Sequence, residues 1–202
     1  MKFLSKPILL LLFAMCLPEA CSQDPAVTEA INILKTTKAM REPFGQIHQA
    51  NPAKMKDASL LFEKQMSAIN ILGKAKIDGA AELFVPYLNY NSEGYPFLFG
   101  YNPRTPETLE QIRNQWPAFS ALIGMPGAAK ALSNCALDKN EDFSYRVAAL
   151  AALRYIDKTQ CDKIAPILID QATTSQQKGY IQEVEEGKRP FQGTYFFPPV
   201  TE

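Results

Sequence analysis

Three times along this chain, an apolar stripe at helical spacing is followed by a turn and a second stripe. The clearest copy covers residues 142–172. Phe143, Val147, Leu150 and Leu153 fall at steps of four, three and three, which places them on one face of a helix. Ala148, Ala149, Ala151 and Ala152 keep that helix slim enough for a neighbour to approach. Asp157 and Lys158 are expected to end it, Thr159 to cap the next helix, and Cys161, Ile164, Ile167 and Leu168 to share a face there. In the copy at 105–138, the outgoing stripe is Leu109, Ile112, Trp116, Phe119 and Ile123. The turn is Gly-Met-Pro-Gly, and Ala128, Ala131, Leu132, Cys135 and Ala136 return. In the copy at 53–88, Phe62, Met66, Ile69 and Leu72 precede a turn at Lys-Ile-Asp-Gly, and Ala80, Leu83, Phe84, Tyr87 and Leu88 follow. Aligning Ile69, Phe119 and Leu150 also brings Leu72, Leu122 and Leu153 into register. One helix pair cannot bury such a face alone, but stacked pairs can.

The third unit resembles the HEAT-like repeat of the phycobilisome-lyase type. That unit runs from an acidic residue through Arg to an Ala-Leu-rich helix, a short turn and a second helix ending near Asp. Asp142, Arg146, Ala149, Leu150, Leu153, Ile156, Ile164, Leu168 and Asp170 occupy those places. In the middle unit Pro117 departs from the pattern, and the turn is Gly-Pro-rich rather than charged. The resemblance implies an all-α, short α-solenoid of about three helix pairs. It does not carry tetrapyrrole chemistry with it, because unrelated scaffold proteins share the repeat. A helix over about 26–40, with Val27, Ala30, Ile31 and Leu34 on one face, is expected to cap the N-terminal end of the stack. Asn51-Pro52 reads as the start of the next helix.

Residues 1–22 read as an export signal: Lys2 and Lys6, an apolar run from Ile8 to Cys16, then small residues. Two processing routes fit. Cleavage after Ser22 would leave a chain starting at Gln23, whereas lipidation of Cys21 would anchor the protein to a membrane, although Pro18 stands where a lipoprotein signal has an aliphatic residue. The expected organisation is a signal at 1–22, a helical domain at 23–187 and an aromatic, Pro-rich tail at 188–202. The location is the periplasm or the cell exterior, or a membrane surface through Cys21. Lys plus Arg balance Asp plus Glu at 21 each, with no basic stripe, which argues against a nucleic-acid partner.

Two segments break the helical pattern. The loop at 89–104 holds Tyr90, Tyr95, Phe97, Phe99 and Tyr101 among Gly and Pro residues. These five aromatics form a candidate partner-binding surface, since rings supply large contact areas at modest entropic cost. Packing of the loop on itself is the competing account. The tail carries Phe191, Tyr195, Phe196 and Phe197, an aromatic load that implies packing on something, with 194–197 either paired with 95–101 or covering the same side of the stack.

The chemical motifs are sparse. One histidine, His48, sits in a polar connector, so no multi-histidine metal site is expected and no cofactor is assigned. No phosphate loop, dinucleotide fingerprint or Gly-x-Ser-x-Gly appears. Carboxylates cluster at Glu183, Glu185 and Glu186, and at Asp138, Glu141 and Asp142, where helix caps and solvated faces are the ordinary explanation. Cys135 and Cys161 remain after export. An oxidising compartment favours a disulfide between them. Their placement on parallel return helices puts them roughly 12 Å apart, taking ~1.5 Å per residue, which favours free thiols.

The functional expectation is an exported cell-envelope protein acting as a non-catalytic helical-repeat scaffold for a protein partner. The alternative is a small carboxylate-dependent hydrolase or lyase with its site near 89–104.

Overall fold

The computed structural model describes residues 24–40, 52–92 and 108–193, apart from the side chains of 52–55. The described residues form nine α-helices and one 3-10 turn, with no strand. The chain is all-α. In order the helices are α1 (Pro25–Thr36), α2 (Pro52–Ala75), α3 (Ala81–Phe84, running into a 3-10 turn at Val85–Tyr87), α4 (Leu109–Gln115), α5 (Pro117–Leu122), α6 (Ala128–Leu137), α7 (Phe143–Ile156), α8 (Lys158–Gln171) and α9 (Ser175–Glu186). No helix among the described residues is long and apolar enough to cross a membrane. The signal at 1–22, with Cys21, lies outside the described residues, as does His48.

The core follows the stripes. Ile69 and Leu72 of α2, Phe119 and Leu122 of α5, Leu150 and Leu153 of α7, and Leu168 of α8 are fully buried in one apolar cluster. Packing runs α1 on α2, α2 on α5, α6 on α7, α7 on α8 and α8 on α9, while α3 touches both α5 and α6. Gly73 permits the close approach of α2 to α5, because a Cβ there would stand 3.1 Å from that of Ala121.

Several local expectations are corrected. The helix expected over 26–40 stops at Thr36, and Thr37 is extended. The chain beyond is held from outside: the Gln65 amide donates to Thr37 Oγ1 (2.8 Å) and to the Lys38 carbonyl (3.0 Å). The single stripe from Leu109 to Ile123 is two helices, because Pro117 has no N–H with which to continue the ladder and the backbone at Trp116 leaves helical geometry. Leu109 is 40 % exposed and Ile167 42 %, so neither belongs to the core. Asp157, rather than Thr159, caps α8, its carboxylate accepting the Gln160 N–H at 3.0 Å. The second helix of the first pair is a single turn, cut short where Pro86 enters the 3-10 segment.

Helix α9 is an element the stripes did not announce. It is polar, with only Ile181 and Val184 buried. Its ends are nevertheless well specified. Thr174 and Gln177 form a reciprocal capping box, and Gly187 closes the helix in the left-handed conformation. A Cβ at Gly187 would run into the Arg154 guanidinium, whose Nε donates to the Glu185 carbonyl at 3.2 Å. Beyond it, Phe191 is completely buried, stacked on Phe119 (4.6 Å) and edge-on to Trp116 (5.8 Å). The boundary expected at 188 therefore cuts through the core, which includes the first part of the tail. Residues 194–197 lie outside the described residues.

Candidate functional site

The side chains with most chemistry left over line a groove between the end of α2 and the α4–α5 break. The break builds one bank. Where Pro117 interrupts the helical ladder, the carbonyls at the end of α4 need other donors, and Ser92 supplies both. Its N–H reaches the Gln115 carbonyl (2.8 Å) and its hydroxyl the Asn114 carbonyl (2.7 Å). This fixes the direction of α4 and sets Arg113 and Asn114 along the groove. The close Gly73–Ala121 contact brings the other bank near, carrying Asn70, Lys74 and Lys76. The floor is apolar, from Ile69, Pro117, Ala121 and Ile123. The space has a volume of about 540 Å³, within the usual range for ligand clefts.

The electrostatics are one-sided. Lys74, Lys76 and Arg113 line the groove, and among the described residues no carboxylate does. None of the three forms an ion pair with another described residue. Lys76 is also the one described non-glycine residue with positive φ, at 46°. It follows the last turn of α2, its N–H on the Leu72 carbonyl at 3.1 Å. Glycine is the favoured residue at such a position, and a side chain there costs about 1–2 kcal/mol. The negative end of the α2 dipole offsets part of that cost by attracting a cation. Backbone strain of this kind clusters at functional sites, and Lys76 lines the charged groove.

The aromatic candidates separate. Tyr90 is fully buried, and its hydroxyl accepts from Met40 N–H (2.9 Å) and donates to Gln65 Oε1 (2.5 Å). It packs on Phe62 (5.0 Å) and Tyr87 (5.1 Å), so it is a core residue rather than a surface for a partner. Around it a buried polar network joins four elements. Tyr87 donates to the Thr37 carbonyl (3.1 Å), Asn89 donates to the Met40 carbonyl (3.2 Å), and Tyr145 of α7 donates to Asn89 and to the Pro86 carbonyl (3.0 Å). Tyr95, Phe97, Phe99 and Tyr101 lie outside the described residues.

The carboxylate clusters are occupied with structural work. Asp142 caps α7 through the Ser144 N–H (2.8 Å), and Asp138 accepts from the Asn140 N–H (2.9 Å). Glu183 pairs with Arg189 (2.5 Å) and Glu186 with Lys188 (2.5 Å). Among the described residues the buried polar side chains are Gln65, Asn89, Asn91 and Arg146, and none is an acid. Arg146, from the repeat-like pattern, donates to the Ala136 carbonyl (2.9 Å) and to Gln171, tying α7 to the ends of α6 and α8.

Cys135 is half-buried and Cys161 fully buried, and no disulfide joins them. Burial pushes the Cys161 thiol up to about 12, with the neighbouring Asp162 charge adding to the effect. A thiol so strongly protonated is inert packing material at neutral pH. No group of three or more potential metal-ligating side chains occurs among the described residues.

The groove is not legible in the sequence because its cations come from opposite sides of the aromatic 89–104 segment in the chain, and no spacing rule joins Lys74 to Arg113. The available signal was Pro117 inside an otherwise continuous stripe, which marks a helix break and hence a cleft. Comparison with known proteins finds no family model that matches the chain, no similar curated protein and no similar solved structure.

Proposed function

We propose that this protein is an exported cell-envelope scaffold, built as a short α-solenoid of three HEAT-like helix pairs, that binds a protein partner without catalysing a reaction. The order of packing supports the solenoid reading. Second helices of successive pairs meet, α3 on α6 and α6 on α8, and first helices α2 and α5 meet beside them. Helices α1 and α9 lie at the two ends of this sequence of contacts, where capping elements belong.

One observation carries the binding reading: three cations with no ion-pair partner among the described residues line the groove between α2 and α4–α5, beside apolar side chains. Fixed charges of one sign beside apolar surface are an arrangement for recognition, since they favour complementary partners and reject others. Export rests on the Lys2–Ser22 sequence pattern.

The test is affinity capture from the native envelope fraction. The bait would be the mature chain or its Lys74→Glu/Lys76→Glu/Arg113→Glu variant. A specific protein held by the wild type and lost by the folded variant is the expected result. Absence of any specific protein on the wild-type bait would count against the scaffold reading.

A further inference from the structure

We infer that the groove between α2 and α4–α5 receives an acidic, partly apolar peptide segment of the partner. The inference rests on the scaffold reading above and narrows it to one class of ligand. The cations stand on both banks, Lys74 and Lys76 on one and Arg113 on the other. A carboxylate-bearing chain lying along the groove would meet positive charge on either side. Arg113 offers a planar fork suited to two-point contact with a carboxylate, while the lysines act as mobile point charges.

The floor decides between kinds of anion. Pro117 and Ile123 present partly exposed apolar surface beside the charges, with the buried Ile69 and Ala121 behind them. A small inorganic anion would leave that surface wet, whereas a peptide alternating acidic and apolar side chains would cover it. The polar groups between, Asn70, Asn114 and Ser120, can serve an extended backbone as donors and acceptors. With equal numbers of positive and negative side chains in the whole chain, the attraction is local to this groove rather than a general basic field.

Lys76 provides the sharpest test, because its fold role and its binding role have opposite signs. Its left-handed backbone makes glycine the better residue for the fold. Lys76→Gly should therefore leave the melting temperature unchanged or raise it by a few degrees, and still weaken binding.

The probe is a short fluorescein-labelled peptide of alternating glutamate and leucine, titrated with the mature chain and read by fluorescence anisotropy. A lysine–leucine peptide is the control. Lys74→Gln, Lys76→Gly and Arg113→Gln should each weaken binding by about two- to fivefold, the scale of an exposed ion pair. The triple charge reversal should weaken it more than tenfold. Raising ionic strength from about 0.1 M to 1 M, which shortens the screening length from ~10 Å to ~3 Å, should abolish it. Equal binding of the lysine–leucine peptide, or unchanged binding by the triple variant, would overturn the inference.

Sedimentation covers one rival occupant, a second copy of the chain. An acidic surface does exist on this protein, where Glu82, Asp138 and Glu141 line a depression beside Cys135. Self-association of the wild type that disappears in the triple variant would assign the groove to that second copy and overturn the peptide inference. The two proposals fail separately. Charge-dependent peptide binding with no envelope protein captured would sink the scaffold reading alone. Undiminished capture by the triple variant, with no peptide binding, would sink the groove inference alone.

Discussion

Phe191→Ala tests whether the start of the tail is part of the core. The ring is fully buried, stacked on Phe119 at 4.6 Å and edge-on to Trp116 at 5.8 Å. Truncating a buried Phe to Ala costs about 3–5 kcal/mol, and each well-placed aromatic pair adds about 0.5–1.5 kcal/mol beyond area burial. Phe191 lies beyond α9, the last described helix, so this segment can undock locally and the loss is limited to its docking energy. A loss of about 3 kcal/mol is therefore expected. For a domain of this size that lowers the melting temperature by about 6–12 °C. The assay has a built-in local reporter, because Trp116 is the single tryptophan of the chain. Its indole is buried and its Nε1 has no hydrogen-bond partner among the described residues. Undocking Phe191 would expose the ring and shift its emission to the red before global unfolding. Phe191→Leu should recover part of both effects. An alanine variant with unchanged emission and an unchanged melting temperature would refute the packing argument.

Further expectations concern the buried polar groups and the thiols. Tyr90→Phe strips Gln65 Oε1 and the Met40 N–H of a buried partner and should cost about 1–3 kcal/mol in urea unfolding. A neutral result would show that the network is not holding α1 against α2. At pH 8 a thiol-alkylating reagent should modify Cys135 in the native protein and leave Cys161 untouched, since a pKa of about 12 leaves a thiolate fraction on the order of one in ten thousand. Peptide mapping that finds both modified at equal rates would contradict the burial of Cys161. The same raised pKa fixes a pH trend. Folded Cys161 holds its proton above the ordinary value of 9.0, and Tyr87 is shifted in the same direction by burial. Their contribution to stability is intact below pH 9 and lost as pH rises toward about 12. A melting temperature that stays level between these limits would argue against both shifts.

The elements that could be read directly from the sequence were those whose stripe is unbroken. Phe143 to Leu153 and Ala128 to Ala136 form helices α7 and α6 where the spacing puts them, because large apolar side chains and alanine packing decide those regions locally. Elsewhere the outcome depended on partners distant in the chain. Whether the first helix continued past Thr36 was settled by Gln65 and Tyr90, which capture the following backbone. The burial of Tyr90 was set by Phe62 and Tyr87, so its aromatic character alone could not separate a surface residue from a core one. Helix α9 has too few apolar residues to show a stripe, yet Thr174, Gln177 and Gly187 spell out its two ends. In so polar a helix the end signals carry the information that periodicity does not. The groove was the least legible feature, because its three cations are individually ordinary surface residues and gain meaning only when α2 and α4 are brought side by side.

Hydrogen–deuterium exchange of the mature protein, with and without its captured partner, tests the central claim most directly. The account predicts slowed exchange at residues 69–76 and 113–123, the two banks of the groove, with α8 and α9 unchanged. Protection confined to α8 and α9, with both banks exchanging as in the free protein, would contradict it.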